Sequence, residues 1–239
     1  MSPVERREVE VDGRRVRYHA VGEGDPLVLV HGLAGSWRWW KPVLEPLTEH
    51  RELHVVDLPH LHRGWGVDRV SHWLAAVLDG AGLERVDLAA HSLGGLFAAE
   101  LAATEPERVR KLVLVAPAGV PDGKGLPSQT LSLLTALYHA RHSLRMITTD
   151  VVRSGPLSVA HGIEFLARRD LSDELGDIQA PTLLVWGERD ELVPFRLAED
   201  WQRLLPRARL VRLGCGHVPM LEAPGELADA MLAFLDERP

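Results

Sequence analysis

Residues Val86 to Glu100, V-D-L-A-A-H-S-L-G-G-L-F-A-A-E, constrain the fold more than any other stretch. The stretch opens as Val86-Asp87-Leu88-Ala89-Ala90, with the length and apolarity of a buried strand. It leaves with Leu93, Leu96, Phe97 and Leu101 at helical spacing. A strand that becomes a helix within so few residues needs small side chains at the corner, and Ala90, Gly94 and Gly95 supply them. Ser92 stands at the apex. Such a corner exposes a hydroxyl and aims the first N–H groups of the following helix at whatever approaches it.

The rest of the chain alternates strand and helix around this corner. Val4–Val11 and Arg14–Val21 alternate polar and apolar residues on either side of Asp12-Gly13, a hairpin signal. Pro26-Leu27-Val28-Leu29-Val30 reads as a strand buried on both faces. It runs into the glycine-rich loop His31-Gly32-Leu33-Ala34-Gly35-Ser36, and a helix is expected over Trp37–Thr48. Leu53–Val56 is the next strand, and Val70, Trp73, Leu74, Val77 and Leu78 mark an amphipathic helix. Leu112–Val115 and Leu183–Trp186 are further buried strands, and Arg209–Leu213 another. Leu197–Leu205 and Leu221–Leu235 read as helices. This order predicts an α/β fold, a mostly parallel central sheet with helices on both faces. Between Val120 and Gln179 the pattern changes to short helices broken by Gly and Pro. The expected organisation is a core of residues 1–119 and 180–239 interrupted by a helical cap at 120–179.

The chain has 239 residues, 34 acids against 27 lysines and arginines, and a net charge of −7. That balance argues against a nucleic-acid partner. The single cysteine, Cys215, fits a reducing compartment. Neither an apolar leader nor an 18-residue apolar run is visible, so a cytoplasmic protein without a membrane span is expected.

A serine hydroxyl becomes a nucleophile at neutral pH only when a base takes its proton and a third group orients that base. A histidine and a carboxylate are therefore sought at other strand ends, where the loops of an α/β sheet gather. Asp190 lies just after the strand Leu183–Trp186, and His217 just after Arg209–Leu213. The chain order is Ser92, Asp190, His217. Glu188 and Glu191 flank the acid and read as solvated. Asp122, beyond the strand ending near Val115, is the competing acid. His91 reads as a packing or hydrogen-bonding residue, and Cys215 as a small buried one. His60, His62 and His72 lack a fourth ligand at zinc spacing, so no metal is expected.

The blocks H-G-L-A-G-S, A-H-S-L-G-G, P-T-L-L-V-W-G-E-R-D-E-L-V-P and G-C-G-H-V-P-M-L-E-A-P resemble those of the α/β-hydrolase family, with Ala90 in place of the first glycine of G-x-S-x-G. Within that family the chain resembles small cofactor-free serine esterases with a helical cap, including those acting on acyl carrier protein esters. The loop His60-Leu61-His62-Arg63-Gly64 departs from the family pattern. The resemblance implies cleavage of a small carboxylic ester through an acyl-enzyme on Ser92, with no cofactor. It places the oxyanion donors at the Leu33 and Leu93 N–H groups. Lactonase, C–C hydrolase, lyase and cofactor-free haloperoxidase activities are alternatives on the same fold, as is a slow-turnover hydrolase-like receptor. Trp37, Trp39, Leu137, Tyr138, Val193 and Val218 are the candidate substrate contacts. An excess of basic residues in the cap raises an acidic carrier protein as a further candidate partner.

Overall fold

The computed structural model describes residues 3–59, 61–62, 68–121, 144–205 and 207–237. Eight strands form one sheet: β1 (Glu5–Val11), β2 (Arg14–Val21), β3 (Asp25–Val30), β4 (Arg51–Val56), β5 (Val86–His91), β6 (Val109–Val115), β7 (Thr182–Gly187) and β8 (Ala208–Leu213). Their spatial order is β1-β2-β4-β3-β5-β6-β7-β8. The β1–β2 hairpin joins antiparallel to β4, and every other pairing is parallel. The hairpin turns at Asp12-Gly13, both with positive φ, as the Asp-Gly pair predicts.

The central strands carry Val, Leu and Ala because both faces are covered. β5 is buried at every position, and so are the last four residues of β3. On one face α2 (Asp68–Gly80), α3 (Leu93–Thr104) and α6 (Arg196–Leu204) bring Trp73, Phe97 and Trp201 into one apolar cluster. On the other, α1 (Lys41–Thr48) and α8 (Pro224–Leu235) bring Leu44, Leu47, Met231 and Phe234 into a second. Helix α3 is buried from Leu93 to Ala102, which includes Glu100; Arg169 meets that carboxylate at 3.6 Å.

Two helices are shorter than expected. Trp37–Trp40 is a 3-10 turn, and α1 begins only at Lys41, with Pro42 in its first turn. The final helix is likewise divided into α7 (Pro219–Glu222) and α8 (Pro224–Leu235). In both places a proline sets the boundary, because it is favoured at the start of a helix and cannot donate inside one. Between β6 and β7 the described residues hold α4 (Leu144–Ser154), α5 (Pro156–Arg168) and a short 3-10 turn, with no strand among them. This segment rejoins the sheet where the Leu171 N–H donates to the Gly119 carbonyl at 2.7 Å.

Candidate active site

Four strand ends meet at one edge of the sheet. β5 ends in Ser92, which takes φ 52° and ψ −117°. A residue with a Cβ pays for positive φ with steric strain of order 1–3 kcal/mol, so the surroundings must enforce it. Here the Ser92 N–H donates to the Val115 carbonyl, and the Ser92 carbonyl accepts from Leu96 and Ala118. The corner is tight: a Cβ at residue 94 would strike the His31 carbonyl, and one at residue 95 would lie 2.8 Å from Pro117. That is the physical requirement for glycine at both places.

The other two candidate residues arrive from β7 and β8. Asp190 follows β7, and its side chain is fully buried. Its Oδ1 accepts the N–H groups of Leu192 and Val193, each at 2.9 Å. Its Oδ2 accepts from His217 Nδ1 at 2.7 Å. Since Nδ1 holds the proton, His217 Nε2 faces Ser92 Oγ with its lone pair, 3.1 Å away. The three side chains thus form one hydrogen-bonded line. β6 lies between β5 and β7, so the residues do not come from adjacent strands. Glu188 and Glu191 are exposed, and Asp122 lies outside the described residues.

The His217 loop is held by Glu222, which sequence reading left aside, and by His91, which it read as a packing or hydrogen-bonding residue. Glu222 accepts the Gly216 N–H at 2.7 Å and the Val218 N–H at 3.0 Å, so one carboxylate brackets the histidine. The His-x4-Glu spacing was the available signal. His91 is buried, and its Nε2–H donates to the His217 carbonyl at 2.8 Å. Burial, and then the nearby His217, hold the His91 pKa well below the usual histidine range. The ring is therefore neutral, with its Nδ1 lone pair turned toward Gly32. The acid and histidine loops also bind each other: the Arg189 N–H donates to the Cys215 carbonyl at 2.9 Å. Cys215 itself is buried, and its thiol is pushed up to about 12, chiefly by that burial.

The loop after β3 abuts the serine: a Cβ at residue 32 would lie 3.0 Å from the Ser92 Cβ. His31 organises its start. The Leu58 N–H donates to His31 Nε2 at 3.0 Å, so Nδ1 carries the proton and donates to the Gly32 carbonyl at 2.8 Å. Burial lowers the His31 pKa. Gly32 to Gly35 then close a turn through the Gly35 N–H and the Gly32 carbonyl, 3.0 Å apart, with Ala34 at φ 57°. The Leu33 N–H takes no part in that bond. The Leu93 N–H is the first of α3 and has no acceptor one turn back within the helix.

Of the candidate substrate contacts, Trp37 is half-buried, with its ring on His19 at 4.2 Å and Lys41 Nζ 5.0 Å from its centre. Trp39 is buried, and its indole N–H donates to Asp150 at 3.1 Å. Val193 is half-buried, and its carbonyl accepts the Trp186 indole N–H at 2.8 Å. Val218 is buried beside His217. Leu137 and Tyr138 lie outside the described residues, as do His60 and Arg63.

The chain matches, over residues 27–230, the model of the family described as "Alpha/beta hydrolase family". It is 32% identical to the pimeloyl-[acyl-carrier protein] methyl ester esterase of Nitrosomonas europaea, covering 92% of this chain and 99% of that one. It is 30% identical to the enzyme of the same name from Photobacterium profundum, over 90% and 96% of the two chains. Among solved structures, one described as a membrane phospholipase A and bacterial virulence factor superposes with a TM-score of 0.85 at 29% identity, covering 98% of this chain and 86% of that one.

Proposed function

This chain belongs to the alpha/beta hydrolase family, and we propose that it is a serine hydrolase of carboxylic esters with Ser92, His217 and Asp190 as its catalytic triad. The observation that carries the reading is the unbroken line from Ser92 Oγ to His217 at 3.1 Å and on to the buried Asp190 at 2.7 Å. The names of the relatives support an ester as the scissile group.

On this reading Ser92 Oγ attacks the ester carbonyl carbon as its proton passes to His217 Nε2. Asp190 keeps the ring in the tautomer that can accept that proton and stabilises the imidazolium that results. The negative oxygen of the tetrahedral intermediate is met by the Leu33 and Leu93 N–H groups. Loss of one such donor typically costs about 2.7–4 kcal/mol of transition-state stabilisation. The intermediate collapses as His217 returns the proton to the alkoxy oxygen, and the alcohol leaves. Water then repeats the sequence on the acyl-enzyme, giving its proton to His217, and the acid is released. Each of these proton transfers is assigned to the chain's own side chains.

On this reading the segment between β6 and β7 caps the site, and Trp37, Trp39, Val193 and Val218 are the acyl-side contacts among the described residues. An ester carried on an acyl-carrier protein is the substrate class that the relatives' names suggest. Much of the described cap's basic charge is already neutralised: Arg168 pairs with Glu164, and Arg169 with Glu100 and Glu174. Among the described residues, Arg145 and Arg153 are exposed arginines on this segment that could meet such a carrier. No helix among the described residues is long and apolar enough to cross a membrane.

The direct test is mass spectrometry of the protein quenched during turnover of a p-nitrophenyl ester. The acyl mass is expected on Ser92, and a folded Ser92→Ala variant should lose at least about 10³-fold in kcat/KM, since triad members act as a unit. Near-full activity in that variant would overturn the assignment.

A further inference from the structure

Asp150 lies on α4, within the segment between β6 and β7, yet all of its described partners lie on the loop after β3. It is 2% exposed. Its Oδ2 accepts Ser36 Oγ–H at 2.8 Å and the Trp39 indole N–H at 3.1 Å, and its Oδ1 accepts from the Arg38 guanidinium. A carboxylate taken out of water is tolerated only when such donors surround it. The three donors all come from residues 36–39. They follow directly on the Gly32–Gly35 turn, whose Ala34 sits at φ 57°. A turn with a strained alanine needs holding from outside, and it is held at three points. His31 grips its start through the Gly32 carbonyl. On α5, Gly162 lies directly over Leu33, so that a Cβ at 162 would overlap the Leu33 side chain. Asp150 grips the exit.

We propose that Asp150 is a positioning residue for the oxyanion site, holding the 32–39 loop so that the Leu33 N–H points at the reacting oxygen. The inference rests on the ester-hydrolase reading above and adds a residue, more than 100 positions from the loop, that touches no reacting atom. The carboxylate acts on the loop exit, and the loop carries the donor. Because the donor matters only once charge develops on the oxygen, losing its alignment slows the chemical step more than it weakens substrate binding.

The test compares the parent with Asp150→Asn and Asp150→Ala on p-nitrophenyl acetate and p-nitrophenyl hexanoate. Binding of a trifluoromethyl ketone, which forms an oxyanion on the serine, is measured alongside. A misplaced reacting group typically costs up to about 10²-fold, so kcat should fall about 10- to 100-fold on both esters with KM within about twofold. The ketone should weaken in parallel with kcat. A residue that merely anchors the helix would lower the melting temperature or change the chain-length preference while leaving kcat on acetate and ketone affinity unchanged, and that result would overturn the proposal. If the Asp150 variants do not fold, Ser36→Ala and Gly162→Ala take their place. The first removes one donor, the second presses on Leu33, and both are expected to lower kcat and ketone affinity together. Labelling of the parent by a fluorophosphonate separates the two readings. An unlabelled Ser92 sinks the hydrolase assignment, whereas labelled Ser92 with unaltered Asp150 variants sinks only the positioning role.

Discussion

Replacing Glu222 with alanine should loosen the histidine loop without touching the triad. In the native protein its carboxylate accepts two backbone N–H groups, Gly216 at 2.7 Å and Val218 at 3.0 Å. Hydrogen bonds to a charged partner contribute about 1.5–3 kcal/mol each when buried. Glu222 is only half-buried, so water can replace part of what is lost. The lower end of that range applies, and the two bonds together should be worth about 2–3 kcal/mol. In a domain of this size each kcal/mol moves the melting temperature by roughly 2–4 °C, which predicts a drop of about 5–10 °C for Glu222→Ala. Glu222→Gln keeps one acceptor and turns an NH2 group toward the second N–H, so about half that loss is expected. His217 retains its bonds to Asp190 and through its carbonyl to His91, so the fold survives. Its Nε2 is no longer fixed at 3.1 Å from Ser92 Oγ, however, and kcat/KM on a p-nitrophenyl ester should fall. A loss of about 10- to 100-fold is expected from misplacement of a reacting group. Thermal melts, urea titration and steady-state kinetics on both variants check this. Two variants that melt with the parent and keep its kcat/KM would refute the bracket argument.

Other perturbations separate the remaining assignments. Asp190→Asn should cost far more kcat/KM than Glu188→Gln or Glu191→Gln, because Asp190 alone of the three is buried against His217; equal losses in the three variants would displace the acid. His31 and His91 are buried and neutral with lowered pKa values, so the unfolded chain, titrating near about 6.5, binds protons that the folded one refuses. Stability is then fully present above that pH and declines below it, as the unfolded chain takes up protons that the buried rings do not. Urea midpoints measured from pH 8 to pH 5.5 should fall on the acid side, and a flat series would contradict the burial of the two rings. Cys215, with its thiol pushed up to about 12, should resist iodoacetamide at pH 8 in the folded protein and react once urea unfolds it; rapid labelling of the native state would show the thiol to be accessible.

The fold could be read from the chain, and the candidate triad picked out in it, because both readings rest on local chemistry. Buried parallel strands need apolar runs, which β3, β6 and β7 carry as Leu27–Val30, Leu112–Val115 and Leu183–Trp186, while β5 is apolar from Leu88 to Ala90, past the buried Asp87. The corner at Ser92 needs small neighbours, and Gly94 and Gly95 announce it. Asp190 and His217 follow strand patterns in an order that leaves few other acid–base pairs to choose from. The helix ends at Trp40 and Glu222 were misjudged where periodicity continued across a proline boundary.

The supports of the site depended on tertiary structure instead. Nothing near Asp150 in the chain marks it off from the other acids of its segment; its donors lie more than 100 positions away, on a loop that only folding brings to it. His91 is a histidine beside a serine until the His217 loop lays a carbonyl against its Nε2. Gly162 looks like an ordinary break in a helix until Leu33 occupies the space a side chain would need. Local pattern picked out the candidate reacting groups, since strand ends and corners are written in short segments. Which groups hold them still was decided by contacts between distant segments, because the energy of a buried hydrogen bond depends on who is adjacent in space and leaves no period in the sequence.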